Sequence, residues 1–221
     1  GNVNAYYTHT ESKTNGVDST DANTIGTGLL PAAFGIGAKT RQNDVDTAIQ
    51  FTFFTGTSAG AGIGGRNGGA GGGNTLNIRQ AFLTFGDKSW GTFKLGRDLG
   101  IFGSDAILSD MTLLGVGTGG APGGSSTLGR IGSGYIYADW KGQVSYSTPN
   151  FNGFQISVGA MENFGNVSQA RRELSYEAKA TYDFAADNFS GRFWLGGISQ
   201  KSDGLAAVAG VADAGLVQGT N

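Results

Sequence analysis

The sequence predicts an all-β protein whose strands form a transmembrane antiparallel β-barrel. Three observations support this fold class. Apolar and polar residues alternate with a period of two in segments of about ten residues, short turns alternate with long loops, and no apolar run is long enough for a membrane-spanning helix. Because backbone groups in lipid must all find partners within the protein, a chain without such a helix crosses a bilayer only as a closed sheet.

Three segments show the clearest alternation. In residues 173–184 every second residue is apolar or aromatic, and the residues between them are charged or polar; residues 153–161 and 45–55 follow the same rule. Since successive side chains of a strand point to opposite faces, each segment has one apolar and one polar face. Weaker alternation predicts six more strands, at residues 3–9, 30–39, 75–85, 91–97, 135–147 and 192–200.

The connections between these strands alternate in length. Residues 41–44, 86–90, 149–152 and 187–189 are short and rich in turn-forming residues. Between them lie long stretches rich in Gly, Ser, Thr and Asn, at about residues 10–29, 56–74, 98–134, 163–171 and from 201 onward. Short turns on one side and long loops on the other are typical of outer-membrane barrels.

The composition argues against several other functions. The chain has no cysteine and one histidine, His9, so it offers no thiolate site and no multi-histidine metal site. A formal net charge of −2 gives no basic surface for nucleic acid. Glu173 and Glu177 could imitate a glycosidase pair, but the nearby Lys179 favours a ladder of charges along one strand face. We therefore expect no enzymatic activity and no cofactor.

Alternation alone does not separate a barrel from a soluble β-sandwich. Both have strands with one apolar and one polar face. In a sandwich the apolar faces fill a core, whereas in a porous barrel the apolar face meets lipid and the polar face lines the lumen. At the level of the sequence pattern this alternative stays open.

Three blocks resemble the trimeric general porins of Gram-negative bacteria. The first runs Ile78-Arg-Gln-Ala-Phe-Leu-Thr-Phe-Gly86 and, after a tight turn, Gly91-Thr-Phe-Lys-Leu-Gly-Arg97. The second is the long stretch after Arg97, with the pair Asp110-Met111. The third combines Leu128-Gly-Arg-Ile-Gly132 with Tyr146-Ser-Thr-Pro-Asn-Phe-Asn-Gly-Phe154. Two departures are clear: Leu113 and Leu114 lie where the family has a glutamate, and Ala33 lies where many members have an arginine.

The resemblance implies a pore narrowed by its third long loop, here residues 98–134, which folds into the barrel and sets carboxylates against wall arginines. The constriction residues that it implies are Arg79, Arg97, Arg130, Asp105 and Asp110, with Lys39, Asp46 and Lys94 as secondary lumen candidates. Arginine suits such a wall because it stays charged at any working pH. By strand parity Arg97 shares a face with Phe93 and Leu95, so it reaches the lumen only if the strand ends or bulges at Gly96.

The resemblance also implies a homotrimer in the bacterial outer membrane, which lets small hydrophilic solutes and ions diffuse passively. An alternative is a surface adhesin or structural outer-membrane barrel with a plugged lumen. Porin-type barrels have about 16 strands, whereas this chain supplies nine candidates, and single-chain bacterial barrels close with an even number. We therefore expect residues 1–221 to be one incomplete, N-terminal barrel domain.

Overall fold

The structure, a computed structural model, is antiparallel β-sheet with one short helix. It describes residues 1–26, 30, 32–55, 76–110, 113–114, 138–163, 169–170, 174–200 and 203–204. Within these residues, no helix combines the length and the apolar composition needed to span a bilayer. The predicted all-β fold class is confirmed.

The strands follow one another along the chain with little else between them. In order the elements are β1 (Tyr6–Thr14), β2 (Val17–Gly26), β3 (Ala32–Gln42), β4 (Val45–Thr55), β5 (Asn77–Asp87), β6 (Gly91–Leu99), α1 (Ser104–Leu108), β7 (Trp140–Ser147), β8 (Phe154–Met161), β9 (Gln169–Ala170), β10 (Ser175–Ala186), β11 (Phe189–Ser199) and β12 (Asp203–Gly204).

Eight of these strands form one sheet in the order β11-β10-β8-β7-β6-β5-β4-β3. Apart from the two-residue strand β9, each strand pairs with its neighbour in the chain, which is the meander expected of hairpin-connected strands. In the described residues the sheet is not closed: β3 and β11 are its two edges. The strand β4 has the predicted bounds, and the others in this sheet differ from the prediction by a few residues at their ends.

The predicted loop at residues 10–29 is wrong over most of its length. Residues 6–26 form the hairpin of β1 and β2, a separate two-stranded sheet, and the predicted strand at residues 3–9 begins only at Tyr6. Asn15 and Gly16 connect the two strands with φ values of 53° and 80°. Positive φ at both central residues defines a type I′ turn, for which Asn-Gly is the preferred pair. The sequence predicted a loop here because the residues of the hairpin are mostly polar.

On strands β6 to β11 the large sheet exposes apolar side chains on one face and buries polar side chains on the other. On β10, Ser175, Glu177 and Thr181 are buried, whereas Tyr176 and Tyr182 on the opposite face are 64% and 47% exposed. The outward residues of the neighbouring strands are equally apolar and exposed: Phe93, Leu95, Val144, Phe154, Ile156, Val158, Phe193 and Leu195. A soluble sandwich would bury these side chains. The inverted pattern is that of strands whose outer face meets lipid.

The chain divides into two compact units. The first comprises residues 1–36, 51–79 and 106–136, and the second comprises residues 37–50, 80–105 and 137–221. In the first unit, the rings of Phe34 and Phe53 stack with their centroids 6.3 Å apart. In the second, Phe93 lies between Phe85 and Tyr146, at 5.3 and 4.9 Å. Paired aromatic side chains of this kind stabilise neighbouring strands.

One turn of the second unit requires glycine. Gly153, the residue before β8, has φ of 98°, and a Cβ there would lie 2.1 Å from the carbonyl oxygen of Asp183. The preceding Asn152 has φ of 50°, a left-handed conformation that asparagine tolerates better than most residues. The predicted turn at residues 149–152 thus connects β7 to β8, and the N–H of Asp183 on β10 donates to the carbonyl oxygen of Gly153 at 2.9 Å.

Candidate functional site

The polar face of the second unit is a continuous array of hydrophilic side chains. Register places Lys94 of β6 beside Ser145 of β7, Ser145 beside Gly159 of β8, and Gly159 beside Glu177 of β10. The adjacent positions of this face carry Asp98, Lys141, Gln143, Ser175 and Thr181, all buried. Buried polar groups need partners, and part of their cover comes from the segment that follows β6.

The segment after β6 folds back against this face. It contains the helix α1, whose first residue, Ser104, donates its hydroxyl hydrogen to the carbonyl oxygen of Ile101 at 2.8 Å. Ile101, Ser104 and Asp105 are all buried. The backbone N–H of Phe102 donates to Glu177 Oε2 at 2.8 Å. The sequence stretch predicted to fold inward therefore does contact the sheet, in the part that the structure describes.

A second set of contacts fixes the first turn of α1. Asp105 lies between two cations of the sheet: its Oδ2 is 2.5 Å from Lys179 Nζ on β10, and its Oδ1 is 3.1 Å from Arg192 Nη1 on β11. Lys179 Nζ also donates to Ser104 Oγ at 2.9 Å. Arg192 binds Asp183, its cross-strand partner, through Nε and Nη2 at 2.5 and 2.8 Å. We call Asp105, Lys179, Arg192 and Asp183 the charge clasp.

The comparison with protein families agrees with this geometry. A family model described as Gram-negative porin matches residues 1–220. The chain belongs to the Gram-negative porin family. A search of curated proteins found no match. Membership places the chain in the bacterial outer membrane and identifies it as a β-barrel protein of the channel-forming type. The exposed apolar face of the large sheet has the corresponding lipid-facing character.

The predicted acidic residues of this porin occupy different units. Asp105 is 7% exposed at its side chain and belongs to the charge clasp of the second unit. Asp110 lies in the first unit, where its N–H donates to the carbonyl oxygen of Ile107 at 3.2 Å and its own carbonyl accepts from the N–H of Leu113 at 3.0 Å. Asp110 thus lies in the turns that follow α1.

In the part of the chain that the structure describes, Asp105 meets Lys179 and Arg192 and not an arginine of the prediction. The guanidinium carbon of Arg79 lies 4.5 Å from the ring centroid of Phe54, which shares strand parity with Gln50 and Asp46. Pairing runs through Gly96 without a shift of register, and Arg97 is an exposed residue opposite Ala81 and Gly142. Arg130 lies outside the described residues.

The three secondary lumen candidates lie on the polar face near strand ends or beside other charges. Lys39 and Asp46 line a cavity of about 720 Å³ together with Thr92. Arg41 crosses this cavity, with Nη1 2.6 Å from Asp46 Oδ2 and Nη2 2.8 Å from Asp87 Oδ2. Lys94 pairs with Asp98, and its Nζ lies 4.9 Å from the centroid of the Phe82 ring.

Sequence reasoning missed Arg192 and Lys141, and it treated Lys179 only as part of a charge ladder. Alternation already assigns Lys179 to the polar face of β10, so its position in the strand was enough to predict it as a residue of the site. Arg192 gave a weaker indication, because it begins the predicted strand at residues 192–200 and its partner Asp183 is identified only by the register of the hairpin. Nothing in the sequence pairs either cation with Asp105, since Arg192 and Asp105 are 87 residues apart.

Proposed function

We propose that this porin is a passive diffusion channel for small hydrophilic solutes and ions, and that the stretch at residues 98–134 narrows its lumen. The observation that carries the proposal is the charge clasp: a carboxylate of the segment after β6 is held by two cations on the polar face of the sheet. A segment fixed inside a barrel by ion pairs reduces the cross-section without filling it. Family resemblance supports a homotrimer.

The electrostatics of the clasp suit a weakly selective filter. Two opposite charges a few ångströms apart interact by about 1 to 4 kcal/mol at effective dielectric constants between 80 and 20. Fields of that size orient a small polar solute and bias the passage of ions, but they block neither the solute nor the ions. In this proposal Lys179 and Arg192 join Arg79 and Arg130 as basic residues of the pore, and Asp105 and Asp110 supply the acidic side. Arg97 is left out, because β6 continues through Gly96 and Arg97 therefore shares the outward face with Phe93 and Leu95.

Solute uptake by proteoliposomes tests the proposal. Vesicles that contain the folded porin should swell in isotonic sugar, with rates that fall as the sugar becomes larger, because the narrowed lumen sieves by size. The control is vesicles with the same mass of heat-denatured chain. An adhesin or a structural barrel with a plugged lumen predicts equal, slow swelling for both preparations and every sugar, and that result would refute the channel.

A further inference from the structure

We propose that Glu177, held by Lys141, is the positioning residue of the segment after β6, and that it sets the width of the pore without contributing to ion selectivity. The inference rests on the proposed channel function and assigns to one residue of the wall a specific part in it.

Glu177 joins three parts of the second unit through one carboxylate. Its Oε1 accepts a hydrogen bond from Lys141 Nζ at 2.5 Å, which ties β10 to β7 across β8. Its Oε2 accepts from the N–H of Phe102 at 2.8 Å, which ties β10 to the segment. The side chains of Lys141 and Glu177 are 3% and 0% exposed. Each carboxylate oxygen therefore accepts one hydrogen bond, Oε1 from a strand of the wall and Oε2 from the segment.

The backbone before Phe102 is fitted closely to the same carboxylate. Gly100 donates its N–H to the carbonyl oxygen of Asp139 at 2.9 Å. A Cβ on Gly100 would lie 2.4 Å from the carbonyl oxygen of Ala138 and 3.2 Å from Glu177 Oε2. The chain leaves β6 at Leu99, so Gly100 and Phe102 determine the direction in which the segment enters the lumen.

A buried ion pair is a costly way to hold a backbone. Its desolvation offsets much of its attraction, and a pair of apolar residues would often stabilise the wall equally well. What the carboxylate adds is a charged acceptor for a backbone N–H, and hydrogen bonds to charged groups are the stronger ones. The arrangement is explained if its role is to fix the segment rather than to stabilise the sheet.

The two fixed points of the segment differ in their access to water. Arg192 of the charge clasp is 47% exposed at its side chain, so its field reaches permeating ions. Glu177 is fully enclosed and compensated by Lys141. Loss of the clasp should alter selectivity. Loss of Glu177 should alter width, because the segment shifts while the charges at the water surface stay the same in number and sign.

Hydrogen exchange and bilayer recording on the folded full chain test the proposal together. In Glu177→Gln the amide hydrogen of Phe102 should exchange at least about tenfold faster, as expected for loss of a hydrogen bond to a charged acceptor. Single-channel conductance should depart from the native value with greater open-channel noise, while the reversal potential in a KCl gradient stays the same. Asp187→Asn, which neutralises a carboxylate in the exposed turn between β10 and β11, should alter none of these.

A second variant disturbs the contact between Glu177 and the Phe102 N–H by changing the segment instead of the carboxylate. Gly100→Ala leaves Glu177 intact but places a methyl group against Ala138 and the carboxylate, so it should reproduce the faster exchange at Phe102 and the altered conductance. Heat-modifiable migration in electrophoresis verifies that each variant is folded. Native exchange in both variants overturns the proposal, as does a shifted reversal potential at unchanged conductance. If no variant or native protein conducts, the proposed channel function and the width claim fail together, whereas the exchange result still decides whether Glu177 positions the segment.

Discussion

Replacing Ala178 by lysine should strongly destabilise the porin in membranes. Ala178 is an exposed residue of the outward face of β10, and register places it between Val158 and Gly197. A lysine or arginine on the lipid face of an outer-membrane barrel costs about 2 to 4 kcal/mol near the bilayer midplane. Such a cost is a large fraction of the stability of a typical protein. The measurement is the urea midpoint for unfolding from lipid vesicles.

The structure supplies two controls for this substitution. Ala178→Leu enlarges the same side chain but keeps it apolar, and it extends into an outward depression of about 620 Å³ lined by Tyr176, Val158 and Gly197, so its midpoint should stay close to native. The native chain already carries Lys179 one position further on, where it points to the polar face and pairs with Asp105. A native midpoint for Ala178→Lys would mean that the outward face does not meet lipid.

Removing both cations of the charge clasp should make the channel strongly selective for cations. The clasp holds Lys179 and Arg192 against Asp105 and Asp183, so its formal charge is zero. In Lys179→Ala/Arg192→Ala it becomes −2, and each uncompensated charge acts on a nearby ion by about 1 kcal/mol in water, roughly a fivefold change in local concentration. The reversal potential in a KCl gradient should therefore move toward the potassium equilibrium value.

The opposite substitution tests the sign of the effect. Asp105→Asn/Asp183→Asn leaves the two cations alone, so the reversal potential should move toward the chloride value. Asp187→Asn removes a charge from the exposed turn between β10 and β11 and should produce little shift. Since screening shortens the range of exposed charges, the difference between the double variants should shrink at molar salt. Equal reversal potentials for both double variants would show that the clasp does not face the conducting path.

The sequence predicted the strands of this fold because alternation is local. Val45–Thr55 was predicted to the residue, since its apolar face and its flanking turn and loop are all visible in the chain. The β1 and β2 hairpin was missed because its residues are polar on both faces and only Asn15-Gly16 marks the turn. Local composition there indicated a loop, whereas backbone pairing decided the structure.

The site was harder to predict, because its contacts join residues far apart in the chain. Asp105 was named from its place in the long stretch after β6, but its partners Lys179 and Arg192 depend on which strands the segment reaches. The Glu177 contact with the Phe102 N–H involves a backbone group, for which the sequence carries no residue-specific indication. Family resemblance suggested arginines on other strands and gave no indication of Lys141.

Bilayer recording from single-cysteine variants tests most directly whether the polar face lines a conducting pore. The native chain has no cysteine, so a thiol reagent acts only at the introduced residue. Thr92 lines the cavity on the polar face, and its neighbour Phe93 belongs to the outward face. A charged, membrane-impermeant methanethiosulfonate should reduce the stepwise conductance of Thr92→Cys and leave that of Phe93→Cys unchanged. Unaltered current in Thr92→Cys after complete labelling, or the absence of stepwise openings in the folded protein, would contradict the account.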